Sequence, residues 1–133
     1  VIEMKTIKDS PRVDFKEKIS TGNDAIDYCE LQYPKTCAEF KRIQDEQYKL
    51  FCKKQMNYGP GNISVGTNLN TTDDVKLSLT GLWFRMNDKI QRLKQLIILG
   101  HSDVVGESET DTFQDLSIYG VIAQIVSKKI WGK

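Results

Sequence analysis

The sequence lacks any apolar run long enough for a membrane-spanning helix. No stretch reaches the ~18 consecutive apolar residues that such a helix needs, and the N-terminus has no apolar core of the signal-peptide type. An excess of charge of one sign is also missing, because 19 Lys and Arg residues face 18 Asp and Glu residues and leave a net charge of +1. This balance argues against general binding to nucleic acids or membrane surfaces. We therefore expect a soluble, cytoplasmic protein whose 133 residues form their own core.

Histidine and cysteine are too scarce for the commonest metal and nucleophile sites. His101 is the only histidine, and Cys29, Cys37 and Cys52 have no C-x-x-C spacing. A zinc site of His and Cys ligands and a Ser/His/Asp triad are therefore excluded. The odd number of cysteines favours a reducing, intracellular setting with free thiols. His101 lies in a predicted connection between helices, where we interpret it as solvated rather than catalytic.

Apolar periodicity predicts an all-α fold, an antiparallel bundle of three main helices with a short helix before them. Residues 1–34 are interpreted as an N-terminal arm and residues 35–133 as the helical domain. Thr36 and Glu39 have the spacing of a capping box, and Gly59-Pro60-Gly61 predicts the end of the same helix, followed by a long polar loop over 59–76. The predicted helices cover residues 24–31, 36–56, 77–99 and 107–130.

The predicted helix 77–99 carries two adjacent stripes. Its charged arc borders its apolar arc, so the charges are expected at a boundary between helices rather than in open solvent. An exposed face with local ion pairs is the alternative. The apolar arc contains Leu79, Leu82, Trp83, Met86, Ile90, Leu93 and Ile97, and the charged arc contains Arg85, Asp88, Lys89 and Arg92.

The predicted last helix begins with a row of carboxylates. Glu107, Asp111 and Asp115 follow one another at four-residue steps and share a face, which Tyr119 continues. Because like charges at this spacing repel, something positive should face them. Lys and Arg side chains of a neighbouring helix or a Mg²⁺ ion would both serve. The rest of this helix is apolar nearly all round, which predicts burial and a homo-oligomer.

Three motifs occur in series between residues 54 and 119. They are Lys54-x-x-Asn57-Tyr58-Gly59-Pro60-x-Asn62-Ile63, then Gly81-Leu82-x-x-Arg85-x-x-Asp88-Lys89-x-x-Arg92-Leu93, and then Glu107-Ser108-x-x-Asp111-Thr112-x-x-Asp115-Leu116-x-x-Tyr119. In this order the chain resembles the small phage and bacterial helical proteins called nucleotide modification associated domain 1. That family is in turn similar to the all-α nucleoside triphosphate pyrophosphatases of the MazG and dimeric dUTPase type.

The resemblance implies a nucleotide site in a helical, commonly oligomeric protein. In this interpretation three carboxylates hold Mg²⁺ and basic residues neutralise phosphates, while polar and aromatic residues recognise the base or ribose. The metal ligands would be Glu107, Asp111 and Asp115. The nucleotide and phosphate contacts would come from Lys54, Asn57, Tyr58, Asn62, Arg85, Asp88, Lys89, Arg92 and Tyr119.

Two departures from the pattern bear on catalysis. The family usually has Asp where this chain has Asn57, and the Glu-x-x-Glu of the pyrophosphatases is missing, since Glu39 and Glu46 are seven residues apart. One hypothesis is a Mg²⁺-dependent nucleotide pyrophosphohydrolase of phage nucleotide metabolism. A second is a sponge protein that sequesters a nucleotide-derived signal and so counters host defence. A third is a structural bundle in which the charges only form ion pairs.

Overall fold

The computed structural model describes residues 22–133, and within this range the chain is helical with turns and loops and without β-strands. The all-α prediction is confirmed for this part of the chain. Residues 1–21 of the predicted N-terminal arm lie outside the described residues. Across 22–133 no helix has both the length and the apolarity needed to cross a membrane. The helices are α1 Asp24–Gln32, α2 Pro34–Tyr58, α3 Gly61–Ser64, α4 Thr72–Leu93 and α5 Glu109–Ser127.

The start of α2 differs from its prediction. The helix begins at Pro34, a residue suited to the first helical position because its missing N–H has no partner there in any case. Thr36 therefore lies inside the helix, and Glu39 accepts hydrogen bonds from Arg42 (2.8 and 2.6 Å). The capping box predicted for Thr36 and Glu39 is wrong, because the proline starts the helix one half-turn earlier.

The chain separates into two compact units, Val1–Asp45 and Glu46–Lys133, so that the boundary lies within α2. In the described part of the first unit, Lys41 Nζ lies 2.6 Å from Glu30 Oε2 and joins α2 to α1. The second unit contains the end of α2 and all of α3, α4 and α5. The predicted site residues all belong to this second unit.

The segment predicted as a long polar loop contains a helical turn and two buried apolar side chains. Gly59 ends α2 with a positive φ of 64°, and α3 follows almost at once. Ile63 and Leu69 are buried, and Ser78 Oγ donates a hydrogen bond to the Ile63 carbonyl (2.6 Å). Thr71 caps α4 by accepting from the Asp74 N–H (3.1 Å), so α4 starts five residues before its predicted start. The prediction of a polar loop over the whole of 59–76 is therefore wrong.

Helices α4 and α5 pack together in antiparallel orientation, since Arg92 contacts Thr112 while Lys89, one turn earlier, contacts Asp115, one turn later. Only part of the predicted apolar stripe of α4 enters the core. Leu82 is buried, whereas Trp83, in the next position, is exposed. The core consists of Ile63, Leu69, Leu82, Ile118, Ile122, Val126 and Trp131, with Leu79 and Met86 packed against it, and Ile90 and Ile97 remain exposed with Trp83.

Both ends of the helix pair are closed by local structure. After Leu93 the backbone widens into a π-helical turn, Lys94–Ile98, in which the Leu99 N–H donates to the Lys94 carbonyl (3.0 Å). After α5 the chain turns so that Trp131 is buried and its Nε1 donates to the Pro60 carbonyl (3.1 Å). The last helix therefore ends at Ser127 rather than at residue 130, and Trp131 anchors the C-terminus on the start of α3.

Candidate functional site

Lys89 of α4 bridges two carboxylates at the start of α5. Its Nζ lies 2.9 Å from Asp115 Oδ2 and 3.2 Å from Glu107 Oε2. The hydrogen bond to Asp115, with a further one to Glu107, outweighs burial and raises the pKa of Lys89. The same ammonium, together with the Thr112 hydroxyl, lowers the pKa of Glu107. Lys89 and Arg92 of the charged arc therefore lie against the start of α5, as the border position of the arc predicted, and they form an ion-pair network with Glu107 and Asp115.

Arg92 attaches the α4–α5 connection to the helix pair. Its Nε donates to the Thr112 hydroxyl (3.1 Å), and its Nη2 donates to Asp103 Oδ1 (3.2 Å) and to the Glu107 carbonyl oxygen. Thr112 is fully buried and donates in turn to Glu107 Oε2 (3.0 Å). The pKa of Asp103 is lowered, first by the Val105 N–H and then by Arg92. The Nε and Nη2 groups of Arg92 are therefore both engaged by protein acceptors.

Asp111 caps α5 instead of joining the other carboxylates. Its Oδ2 accepts from the Ser108 N–H (3.3 Å), while the Ser108 hydroxyl accepts from the Asp111 N–H (3.0 Å), which is a reciprocal capping box. Among residues 22–133 no three His, Cys, Asp or Glu side chains are grouped closely enough to hold a metal ion. With Lys89 between Glu107 and Asp115, this donor set fits an ion-pair network better than a Mg²⁺ ion. Magnesium binding by the three predicted ligands stays a prediction.

A cavity of about 310 Å³ lies beside this network, between the end of α2, α3 and the α4–α5 pair. Its lining combines apolar and aromatic side chains with amides and charged groups. Six of the predicted site residues line it, and five further lining residues were not predicted. The predicted ones are Lys54, Tyr58, Asn62, Arg85, Asp115 and Tyr119, and the others are Phe51, Gln55, Ile63, Ile118 and Ile122.

The cavity carries two cations whose charge the protein satisfies only in part. Arg85 Nη2 donates to the Asn62 carbonyl (3.1 Å), and Arg85 has no carboxylate partner in the part of the chain that the structure describes. Lys54 Nζ is 3.8 Å from Asp115 Oδ1, and its side chain is half exposed. Asp115 is already paired closely with Lys89. The cavity therefore presents positive charge beside apolar side chains.

The remaining predicted residues lie outside the cavity lining. Asn57 and Asp88 are exposed, and Asp88 makes no ion pair within residues 22–133. Lys89, Arg92 and Glu107 form the adjacent network. The apolar lining residues that the motifs missed could have been found from helical spacing, since Phe51 precedes Lys54 by three positions and Ile118 and Ile122 flank Tyr119.

Comparisons of the chain with protein-family models, with curated proteins and with solved structures give no match. The resemblance to nucleotide modification associated domain 1 therefore depends on the three motifs alone and stays a prediction. The functional argument accordingly proceeds from the cavity and its charges.

Proposed function

We propose that the protein binds a nucleotide in this cavity, with its phosphates at Arg85 and Lys54. The observation that carries the proposal is the position of Arg85, a cavity-lining guanidinium without a carboxylate partner in residues 22–133. A guanidinium presents paired N–H donors that match phosphate oxygens, and it stays charged at any relevant pH. Lys54 adds a second, loosely held charge to the same lining.

The rest of the lining favours a nucleotide over a simple inorganic anion. Phe51, Tyr58 and Tyr119 supply aromatic surface on which a base can pack, and the Gln55 and Asn62 amides can donate to and accept from its edge. The cavity volume is at the lower end of the range typical of small-molecule sites. These features support a ligand that combines a charged group with a flat ring.

Sequestration without turnover is the better supported of the two nucleotide functions. Hydrolysis by the pyrophosphatase route would require carboxylates free to hold Mg²⁺, and Lys89 engages both Glu107 and Asp115. We therefore propose a phage-type nucleotide-binding protein that holds its ligand unchanged. Magnesium-dependent pyrophosphohydrolysis is the second candidate, favoured by the one carboxylate, Asp115, that lines the cavity.

We also propose that the end of α2 joins α4 and α5 in an antiparallel three-helix bundle completed by oligomerisation. Two contacts support the bundle. The Ser117 hydroxyl donates to Gln47 Oε1 (2.7 Å), and the rings of Phe51 and Trp131 meet edge to face with centroids 5.9 Å apart. Light scattering on the full chain tests the oligomer, and a monomer at micromolar concentration would exclude it.

Calorimetric titration with a panel of nucleotides, with Mg²⁺ or with chelator, tests the nucleotide site. Arg85→Gln and Lys54→Gln should each weaken binding by about tenfold or more, because a hydrogen bond to a charged group contributes ~1.5–3 kcal/mol. Lys53→Gln is the matched control, since Lys53 is the exposed neighbour of Lys54 and does not line the cavity. Its affinity should equal that of the natural chain.

The outcomes separate the candidates. Recovery of the nucleotide unchanged, with affinity indifferent to chelator, supports sequestration, whereas Mg²⁺-dependent release of pyrophosphate supports the hydrolase. A folded protein that binds no nucleotide in the panel, or an Arg85→Gln variant that binds as well as the control, would overturn the proposed site.

A further inference from the structure

The charged side chains that line the cavity leave a single positive charge. Lys54 and Arg85 are its cations, and Asp115 is its only carboxylate among the described residues. The adjacent ion-pair network, apart from Asp115, contains as many carboxylates as cations and is therefore neutral. Its members are Lys89, Arg92, Asp103 and Glu107. The site thus matches a ligand with one negative charge better than a ligand with two or more.

Asp115 directs its two carboxylate oxygens to two different lysines. Oδ2 lies 2.9 Å from the Nζ of Lys89, which is outside the cavity lining. Oδ1 lies 3.8 Å from the Nζ of Lys54, which belongs to the lining. Because 3.8 Å is longer than a hydrogen bond, Lys54 can turn to a phosphate while Lys89 continues to hold Asp115. A phosphate that binds Lys54 therefore comes close to a carboxylate that is held in place.

This carboxylate distinguishes phosphates by their charge. A phosphodiester carries one negative charge, whereas a terminal phosphate carries about two near neutral pH. The charge of a diester can be met by Arg85 and Lys54 together. The second charge of a terminal phosphate would face Asp115 and would have no cation of its own in the lining. The Asp115 side chain is 20% exposed, so water screens this repulsion less than it would at an open surface.

We propose that the cavity selects a nucleotide whose phosphate is a singly charged diester, and that Asp115 is the residue that disfavours terminal phosphates. A volume of about 310 Å³, at the lower end of small-molecule sites, indicates a single nucleotide unit. A cyclic nucleoside monophosphate and an open-chain phosphate ester of a nucleoside share this chemistry. The inference rests on the nucleotide site proposed above and specifies the class of ligand that this site holds.

Calorimetric titration of the full chain at about pH 8, with chelator present, tests this preference. For each of the common bases the probes are the nucleoside monophosphate, its methyl ester, the cyclic monophosphate and a fluoro analogue. In the fluoro analogue, fluorine replaces one phosphate oxygen and removes one charge with little change in size. The singly charged probes should bind at least about tenfold more tightly than the monophosphate, which corresponds to ~1.4 kcal/mol. The order of the cyclic and open-chain diesters then identifies which of the two the site prefers.

Asp115→Asn tests the residue, with Glu109→Gln as the matched control. Glu109 is an exposed carboxylate of the same helix and does not line the cavity, so its substitution changes the net charge equally. Asp115→Asn should abolish the preference for singly charged probes, and Glu109→Gln should keep it, with circular dichroism confirming that both variants are folded.

The comparison of probes on the natural chain decides the inference even where a variant does not fold. A natural chain that binds the monophosphate as tightly as its methyl ester and its fluoro analogue would overturn the inference and leave the nucleotide site standing. A folded Asp115→Asn variant that retains the full preference would do the same. Failure of every probe to bind the natural chain would overturn the nucleotide site itself, and this inference with it.

Discussion

Replacing Lys89 by Met should lower the free energy of unfolding by about 2 kcal/mol. The substitution keeps the apolar stem but removes the ammonium that lies 2.9 Å from Asp115 and 3.2 Å from Glu107. The side chains of Lys89 and Asp115 are 22% and 20% exposed, so the bridge is intermediate between two known cases. Exposed ion pairs contribute ~0–1 kcal/mol, and loss of one partner of a buried pair costs ~3–5 kcal/mol.

Urea denaturation followed by circular dichroism measures this change. Lys53→Met is the control, since Lys53 is exposed and outside the network, and it should change the free energy of unfolding by less than ~0.5 kcal/mol. Asp115→Asn should lower the free energy of unfolding by less than Lys89→Met does, because Glu107 still pairs with the Lys89 ammonium. In the double variant the two costs should not add, because both substitutions remove the same contact. A Lys89→Met variant as stable as the Lys53 control would refute the view that this network supports the α4–α5 pair.

Two further predictions concern the start of α5. Because the pKa of Glu107 is lowered, its contribution to stability is present above the ordinary glutamate pKa of ~4.3 and is lost as the pH falls through the lowered value. Because the pKa of Lys89 is raised, its contribution to stability is present below the ordinary lysine pKa of ~10.4 and is lost as the pH rises through the raised value. Melting temperatures across this range should show both losses in the natural chain and weaker ones in Lys89→Met, and identical profiles would contradict the assignment. Ser108→Ala should lower the free energy of unfolding in urea by about 1 kcal/mol, because the helix cap is lost. Asp111→Asn should leave Mg²⁺ affinity in a calorimetric titration unchanged, because Asp111 takes part in the cap. A large drop in that affinity would identify Asp111 as a metal ligand.

Patterns within one helix were predicted well because their causes are local. The apolar periods place α1, α4 and α5 within a few residues of their observed bounds, apart from the early start of α4. Errors occurred where two local signals competed. Helix α2 begins at Pro34 rather than at the capping signal of Thr36. In the segment 59–76, whose polar composition indicated a loop, Ile63 and Leu69 are buried and the chain is ordered around them. Leu69 even keeps a positive φ of 58°, which burial of its side chain holds in place.

The candidate site was predictable only as a set of residue types. The sequence showed that carboxylates and cations recur on two helix faces, but Asp111 and Asp115 occupy equivalent steps of one row and have different roles. Asp111 lies in the first turn, where its carboxylate accepts from the Ser108 N–H in the capping box, and Asp115 lies one turn deeper, where Lys89 reaches it. Four-residue spacing cannot separate these roles because the partner of one is local and that of the other is on a different helix.

The sequence by itself therefore determined the helices, the helix ends with strong local signals, and the charged and apolar stripes. Only the tertiary structure decided which arc of α4 meets α5, so that Leu82 is buried while Trp83, its neighbour, stays exposed. It also decided that the charge of Lys89 is paired with carboxylates of α5. Arg85, by contrast, faces a cavity and has only a backbone carbonyl as its partner among the described residues. The physical reason is that a helical period sets the direction of side chains about one axis, whereas their partners depend on how separate axes pack.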